Sequence, residues 1–465
     1  MGLLQSKTID KALKKSILKI LESNIKGDIM SKQYQRKFYS VDSSAYQIIP
    51  EIIIIPKNEE DIIKTIKIAK KFKKSVTVRG AGTGLVGSAL NHGIILDMKK
   101  FNAIRINKKS VTVGTGTLKG KLDQALQKNK KFFPPNPSIG NFCSIGGMLG
   151  NNSSGSRSLK YGSTIDNVLE ITFIDGNGNK ITLPRNKKIG KKIFNSIKVE
   201  KEKIPKTSKN SSGYRIDKIT SEKNAHKIII GSEGTLGIIL SAKLNIIDEP
   251  KNRILFIIEY ESILEAAKNS LEIGKTNPST LEFVDKNTLK QIKFNFSKKA
   301  KCLLYVEYDE NIKKSEKEIN LKNSGKIIQK LTTDLEMSKW WRYRDASLHY
   351  SLKSIKKENK VPHIIEDAAV PLERISELFS IVFGSQWSEA VRYTEILSFW
   401  CFSAFLVQPL AHLINIFEKQ KEGLIINIIR LLVRIGTLSY CVIVQINIIN
   451  THNFTSKFWL FFKRF

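Results

Sequence analysis

The sequence has little cysteine and little acid. Its 4 cysteines are spread over 465 residues, at Cys143, Cys302, Cys401 and Cys441, and no two are spaced as C-x-x-C. No zinc site or iron–sulfur cluster is therefore expected within the chain, and no metal site is assigned. Acidic residues number 43 against 77 basic ones, a formal net charge of +34. Such an excess raises a nucleic-acid or anionic-membrane partner. The lysines run along the whole chain and gather into no stripe, so the charge reads as solvated faces and no nucleic acid is expected. The N-terminus lacks the continuous apolar core and small-residue cleavage site of a secretory signal, and a cytoplasmic main body is expected. Met1-Gly2 with Ser6 fits the bare myristoylation pattern, which is too common to assign. Two familiar phosphate sites are also missing. The glycine-rich loop after residue 79 is followed by no Gly-Lys-Ser/Thr, so it is no P-loop, and it is not the G-x-G-x-x-G that opens directly into a helix.

Glycine is what the sequence has instead. Residues 76–87 read VTVRGAGTGLVG, a β-branched strand followed by glycines at 80, 82, 84 and 87. Such a loop brings backbone N–H groups to one point and lets a large anion approach closely. Taken alone, it reads equally well as an ordinary glycine-rich turn. Residues 134–168 are the second unusual stretch, PPNPSIGNFCSIGGMLGNNSSGSRSLKYGSTIDNV. Prolines pin its entry, and small polar side chains offer hydrogen bonds without demanding space. A run this long and this poor in core residues suits a ligand with a planar ring and many acceptors.

Between these stretches the periodicity predicts ordinary elements. An amphipathic helix is expected over 7–25 and a buried strand over Tyr46–Pro56. Asn58 is an N-cap for a helix reaching Phe72, with Ile62, Ile63, Ile66 and Ala69 inward. Strands follow at Gly93–Met98 and Ser110–Val113, with a helix to Leu126. Leu169–Asp175 is a strand, and Asp175-Gly176-Asn177-Gly178 is a hairpin turn. Residues 185–209 read as an exposed, lysine-rich connection. Lys227–Ile247 reads as strand, third glycine loop (Gly231, Gly234, Gly237) and strand. From 251 the pattern becomes strand–helix–strand–helix–strand, an α+β layer.

Together, VRGAGTGLVG, PPNPS with SIGGMLGNNSSGSRSLKYGSTIDNV, and GSEGTLGII resemble three signatures of one family, in its order. The family is the FAD-linked oxidases of the vanillyl-alcohol-oxidase or PCMH-type flavin fold. The branch resembled is the D-2-hydroxyacid dehydrogenases, which include D-lactate dehydrogenase, the glycolate oxidase D-subunit and D-2-hydroxyglutarate dehydrogenase. The resemblance implies an α+β fold: a two-lobed PCMH-type FAD-binding domain over 41–248 and a partial cap domain over 249–383. A helical segment over 1–40 precedes them and a hydrophobic helical tail over 384–465 follows. It implies that Gly80, Ala81, Gly82, Thr83 and Gly84, after Arg79, bind the FAD diphosphate through backbone N–H groups. Pro135, Ser144, Gly147, Asn151, Ser154 and Gly155 would line the rest of the flavin, and Glu233, Gly237 and Ile238 would lie near the dinucleotide. His92 falls outside the matched pattern, so the FAD is expected to be non-covalent.

WWRYRDASLHYSL, residues 340–352, is similar to the family's W-x-x-R segment and aligns Trp341 and Arg344. A planar guanidinium can grip a carboxylate bidentately and hold a substrate's C2–H toward the flavin. Arg344 is thus the candidate catalytic clamp. His363 and Glu366 lie in the segment after it, where a structural role is favoured for both. The implied reaction is oxidation of a small D-2-hydroxyacid, with electrons leaving to a quinone or to an iron–sulfur or cytochrome partner.

The family pattern then breaks. Its H-x-x-x-G-x-x-H-type motif is missing after VPLERI. An alternative is therefore an FAD-binding chain that is catalytically impaired or partner-dependent. Residues 396–417 and 424–449 are apolar and long enough to span a bilayer, and the chain ends KFWLFFKRF, aromatic and basic as at a membrane interface. Two transmembrane helices or a buried helical hairpin both fit, and attachment to the inner face of a membrane follows from the first. The tail weakly resembles ferric-reductase-like haem helices, but its histidines do not support a haem site.

Overall fold

A computed structural model describes residues 16–197, 204, 207, 209–290, 292–346 and 374. The chain divides into two units, residues 1–379 and 380–465, and every described residue lies in the first. His363, Glu366 and both apolar tail segments fall outside the described residues. Among the described residues, no helix is long and apolar enough to cross a membrane.

The first lobe is built from β1 (Asp28–Met30), β2 (Ile52–Ile55), β3 (Val76–Arg79) and β4 (Ile94–Asp97), in the order β1-β2-β4-β3. β2 and β3 both run parallel to β4, and β1 is antiparallel to β2. The isoleucine run of β2 is buried at every position, as an uninterrupted apolar strand covered on both faces should be. The helix Glu59–Lys71 crosses between β2 and β3, capped by Asn58, whose side chain accepts from the Asp61 N–H at 3.0 Å. Its Ile62, Ile66 and Ala69 join the lobe's core, with Ile63 partly buried. Ile17 and Leu21 of the preceding helical stretch join the same core. The strand expected over Tyr46–Pro56 shrinks to β2, because Ile48 N–H turns back to the Ser40 carbonyl instead of a neighbouring strand.

The second lobe contains β5 (Ile104–Ile106), β6 (Ser110–Gly114), β7 (Lys131–Phe132), β8 (Val168–Ile174), β9 (Lys180–Leu183), β10 (Ile238–Asn245) and β11 (Ile247–Asp248). Five form an antiparallel sheet in the order β5-β6-β10-β8-β9, and β7 pairs with β11. The β8–β9 hairpin turns at 175–178 as expected. Two expectations fail here. Residues 187–196 are a helix, because Asn186 caps it at Ile189 N–H and Ile189 and Ile193 pack on the lobe's core. Residues 222–229 are a 3-10 helix that runs into the start of the strand expected from Lys227, because Asn224 folds back on the Thr220 and Ser221 N–H groups at 3.1 Å each.

The cap has β12 (Ile254–Tyr260), β13 (Thr280–Asp285), β14 (Cys302–Tyr308) and β15 (Lys326–Leu331), in the antiparallel order β13-β14-β12-β15. The helices Ile263–Gly274 and Ile312–Lys322 cover one face, and the helix Asp334–Asp345 covers the other. Both central strands, β12 and β14, are buried throughout.

Candidate flavin site

The glycine-rich loop leaves β3 at Arg79 and no helix follows it directly. A segment from the N-terminal side holds it from below. Arg79 Nη2 donates to the Val41 carbonyl at 2.8 Å, and its guanidinium stacks 5.5 Å from the Tyr39 ring. Ser43 N–H donates to the Gly82 carbonyl at 3.1 Å. Tyr39 is fixed in turn by its hydroxyl bond to Asp97 at 2.6 Å. Burial, reinforced by that carboxylate, pushes the Tyr39 phenol well above its ordinary value. Sequence spacing gave no sign of this leg.

Among the described residues, the backbone N–H groups of Ala81, Gly82, Thr83 and Gly84 donate to no protein acceptor. Arg79 Nη1 is buried and also lacks a partner. Backbone donors left open in a half-buried loop suit an anion with several oxygens.

The central stretch comes to the same place. Ser144 caps the helix Ile145–Gly150, accepting from Gly147 N–H at 3.1 Å. Gly80 lies against that cap so closely that a Cβ there would sit 2.0 Å from Ser144 Oγ and 3.8 Å from the Gly147 nitrogen. A Cβ at Gly84 would stand 4.0 Å from the Asn151 amide nitrogen. Gly155 packs on the proline-pinned entry, where a Cβ would meet the Asn136 carbonyl oxygen at 1.9 Å, next to Pro135. Asn152 is 1% exposed. It accepts from Ile165 N–H at 2.9 Å and donates to the Asn210 carbonyl at 3.0 Å, which fixes the path of 151–155.

The third glycine loop joins at the end of the same helix. Gly231 N–H donates to the Leu149 carbonyl at 2.9 Å and Glu233 N–H to the Gly150 carbonyl at 3.1 Å. Beyond Glu233 the third motif turns away. Gly237 presses on the Ile174 carbonyl, and Ile238 pairs with Ile174 and buries its side chain in the first lobe's core. The three motifs thus converge on the helix Ile145–Gly150. Ser154 lies on the stretch between Asn152 and Gly155.

Arg344 is not among these residues. It sits in the cap, where Nε and Nη2 donate to Glu282 at 3.2 and 2.7 Å and Nη1 to Asp345 at 3.3 Å. Burial alone would lower its pKa, but Glu282 outweighs it and the guanidinium is raised. Burial raises Asp345 above the ordinary carboxylate range despite Arg344 beside it. One short helical turn of the flavin-side stretch, Ser158–Tyr161, reaches the cap through Arg157, Lys160 and Tyr161, none of which stood out in the motifs. Lys160 and Tyr161 both bind Asp309, at 2.6 and 2.5 Å.

Comparison with known proteins agrees with this geometry. Residues 50–183 match the FAD binding domain, and residues 249–383 match the C-terminal domain of FAD linked oxidases. On these two domains, in this order, the chain belongs to the FAD-linked oxidases, whose cofactor is FAD. It is 31% identical over 299 residues to a D-2-hydroxyglutarate dehydrogenase of Haemophilus influenzae, covering 57% of this chain and 29% of that protein. It is 28% identical over 365 residues to glycolate oxidase subunit GlcD of Bacillus subtilis, covering 75% of this chain and 70% of that one. The chain thus spans under a third of the length of the D-2-hydroxyglutarate dehydrogenases it matches. Among solved structures, alkyldihydroxyacetonephosphate synthase shares the fold with a TM-score of 0.56 at 17% identity, over 73% of this chain and 65% of that one.

Proposed function

We propose that the chain is an FAD-dependent oxidoreductase that oxidises a small D-2-hydroxyacid of the lactate, glycolate or 2-hydroxyglutarate type. The observation that carries this reading is the convergence of three glycine motifs beside a row of open backbone N–H groups, in a chain whose relatives are named for 2-hydroxyacid oxidation. Arg79 and residues 80–84 would hold the diphosphate. Pro135, Ser144, Gly147, Asn151, Ser154 and Gly155 would line the ribityl chain and ring, with Glu233 at the dinucleotide and Gly237 and Ile238 supporting it from β10. Bound non-covalently, FAD would supply the two-electron sink for the hydride that leaves the substrate's C2, while a base takes the proton of the substrate hydroxyl. Arg344 would grip the substrate carboxylate, exchanging its present carboxylate partners for that of the substrate. Electrons then pass to a quinone or to an iron–sulfur or cytochrome partner. Residues 41–248 form the flavin domain, 249–383 the cap, and 384–465 a tail that attaches the chain to the inner face of a membrane.

The test is the visible spectrum of the gently purified protein, followed by anaerobic addition of D-lactate, glycolate or D-2-hydroxyglutarate. Flavin absorbance bleached by one of them is expected, and a colourless protein sinks the reading. A second reading, of a flavin-binding but impaired or partner-dependent subunit, is favoured by one observation: Arg344 is already held by Glu282 and Asp345. Bound flavin that none of the three acids bleaches would select it. Membrane attachment predicts release from the membrane fraction by detergent and not by high salt; release by salt alone rejects it.

A further inference from the structure

Among the described residues, the cap meets the flavin-binding stretch at the Ser158–Tyr161 turn, which lies against β13 and the end of β14. Arg157, Lys160 and Tyr161 are spaced i, i+3, i+4 around the Ser158–Tyr161 turn and share one face. Glu307 and Asp309 are spaced i, i+2 at the end of β14 and share one face of the strand. The two spacings interlock. Asp309 takes Lys160 and Tyr161, and Arg157 Nη2 lies 3.9 Å from Glu307 Oε1. The Arg157 guanidinium stacks 5.1 Å over the Phe132 ring, which holds its plane in place.

Glu307 continues the chain of contacts into the cap. Its Oε2 accepts from Trp341 Nε1 at 3.0 Å. Its Oε1 is buried without a hydrogen bond, 3.8 Å from Arg253 Nη1. Arg253 pairs in turn with Asp334, the first residue of the helix Asp334–Asp345. A carboxylate that is 1% exposed needs cationic partners to remain there. This one has a partner in the flavin-binding stretch and ties to both the start and the middle of the helix that carries Arg344. We propose that Glu307 is a positioning residue, which sets that helix, and with it Arg344, against the flavin-binding stretch. The proposal rests on the function given above only for its kinetic consequence.

The full-length protein with its flavin tests it, as wild type, Glu307→Gln, Arg157→Met and Arg157→Lys. The glutamine keeps an acceptor for Trp341 and removes the charge. Arg157→Met removes the same contact from the other side, should Glu307→Gln fail to fold. FAD content is read by absorbance, amide exchange over 334–345 by mass spectrometry, and flavin reduction by stopped flow with D-2-hydroxyglutarate, D-lactate and glycolate. Glu307→Gln and Arg157→Met are expected to keep their FAD and to exchange faster over 334–345 with β12 unchanged. Their limiting reduction rate should fall about tenfold or more, since small misplacements of a positioned group cost that much. Arg157→Lys should restore part of both. Wild-type exchange over 334–345 in both variants overturns the proposal, as does a rate loss that only tracks loss of FAD. If no acid reduces the wild-type flavin, the functional reading fails, and the exchange experiment alone decides the role of Glu307.

Discussion

Gly155 has no room for a side chain. A Cβ there would overlap the carbonyl of Asn136 at 1.9 Å, and that neighbour is backbone, which cannot swing aside. Gly176, in the β8–β9 turn, has nothing within 4 Å of the same added atom. Gly155→Ala is therefore expected to push 134–137 away from 151–155 and to reduce bound FAD several-fold, whereas Gly176→Ala leaves it unchanged. The ratio of flavin to protein absorbance reads both, and equal flavin in the two variants rejects the close-packing argument. These residues were legible in the sequence because small side chains and prolines are rare enough to stand out. Tyr39, Val41 and Ser43, which brace the loop from below, were not. They act through a backbone carbonyl, a backbone N–H and a ring face, and any residue type supplies the first two. Glu282 and Glu307 were hidden for a different reason. A charged residue in an apolar strand reads as its solvent side, and only the helix Asp334–Asp345 packed above shows that this side is covered.

Elements were legible where periodicity and a cap agreed. The helix Glu59–Lys71 has both, and Asn58 begins it as expected. Residues 227–230 show the opposite case. KIII has β-branched content and no helical period, so it reads as strand, but the structure ends a 3-10 helix there. The deciding residue lies upstream. Asn224 Oδ1 accepts from two backbone N–H groups, and its Nδ2 donates to Thr220 Oγ1 at 2.9 Å, which closes the turn before the isoleucines can extend. Asn224→Ala is expected to cost about 1–2 kcal/mol, the worth of a lost reciprocal cap. Urea unfolding should show a lower midpoint at constant slope, and an unchanged midpoint would mean that the core contact of Ile229 alone sets the turn. The helix at 187–196 was missed by the same logic. Its lysines mask Ile189 and Ile193, whose spacing of four places both on the core.

At the scale of the whole molecule, the basic excess makes acid the dangerous direction. With 77 basic and 43 acidic residues, each carboxylate that protonates adds to an already positive chain, and self-repulsion rises. Two carboxylates behind the flavin-binding stretch sharpen this. Asp166 lies at the surface, where partial desolvation alone would raise its pKa, but Lys218 and the Ser163 N–H hold it below the ordinary carboxylate value. Arg215 does the same for Asp217. For a carboxylate depressed in the folded state, the unfolded chain binds protons first as pH falls. Its stabilisation is complete above the unfolded pKa of about 4 and disappears as pH drops through the lower folded value. Asp345 works against them. Burial raises its folded pKa, so its penalty is absent in acid and grows as pH rises through that raised value. Asp175 and Glu272 are depressed too, and burial holds His226 below its ordinary value, so the unfolded chain also takes up a histidine proton first as pH falls. Four depressed carboxylates, His226 and the net charge outweigh one raised group, so stability should begin to fall below about pH 6.5 and fall more steeply below about pH 4. Asp166→Asn with Asp217→Asn should lower stability at pH 7 and flatten the fall below pH 4. Added salt should lift the acid limb of the wild type by screening the positive surface. Unfolding midpoints across pH 3 to 8, at low and high salt, read all three. An acid limb as steep in the double variant as in the wild type, and one that salt fully removes, would assign the effect to net charge and none to the Lys218–Asp166 and Arg215–Asp217 pairs.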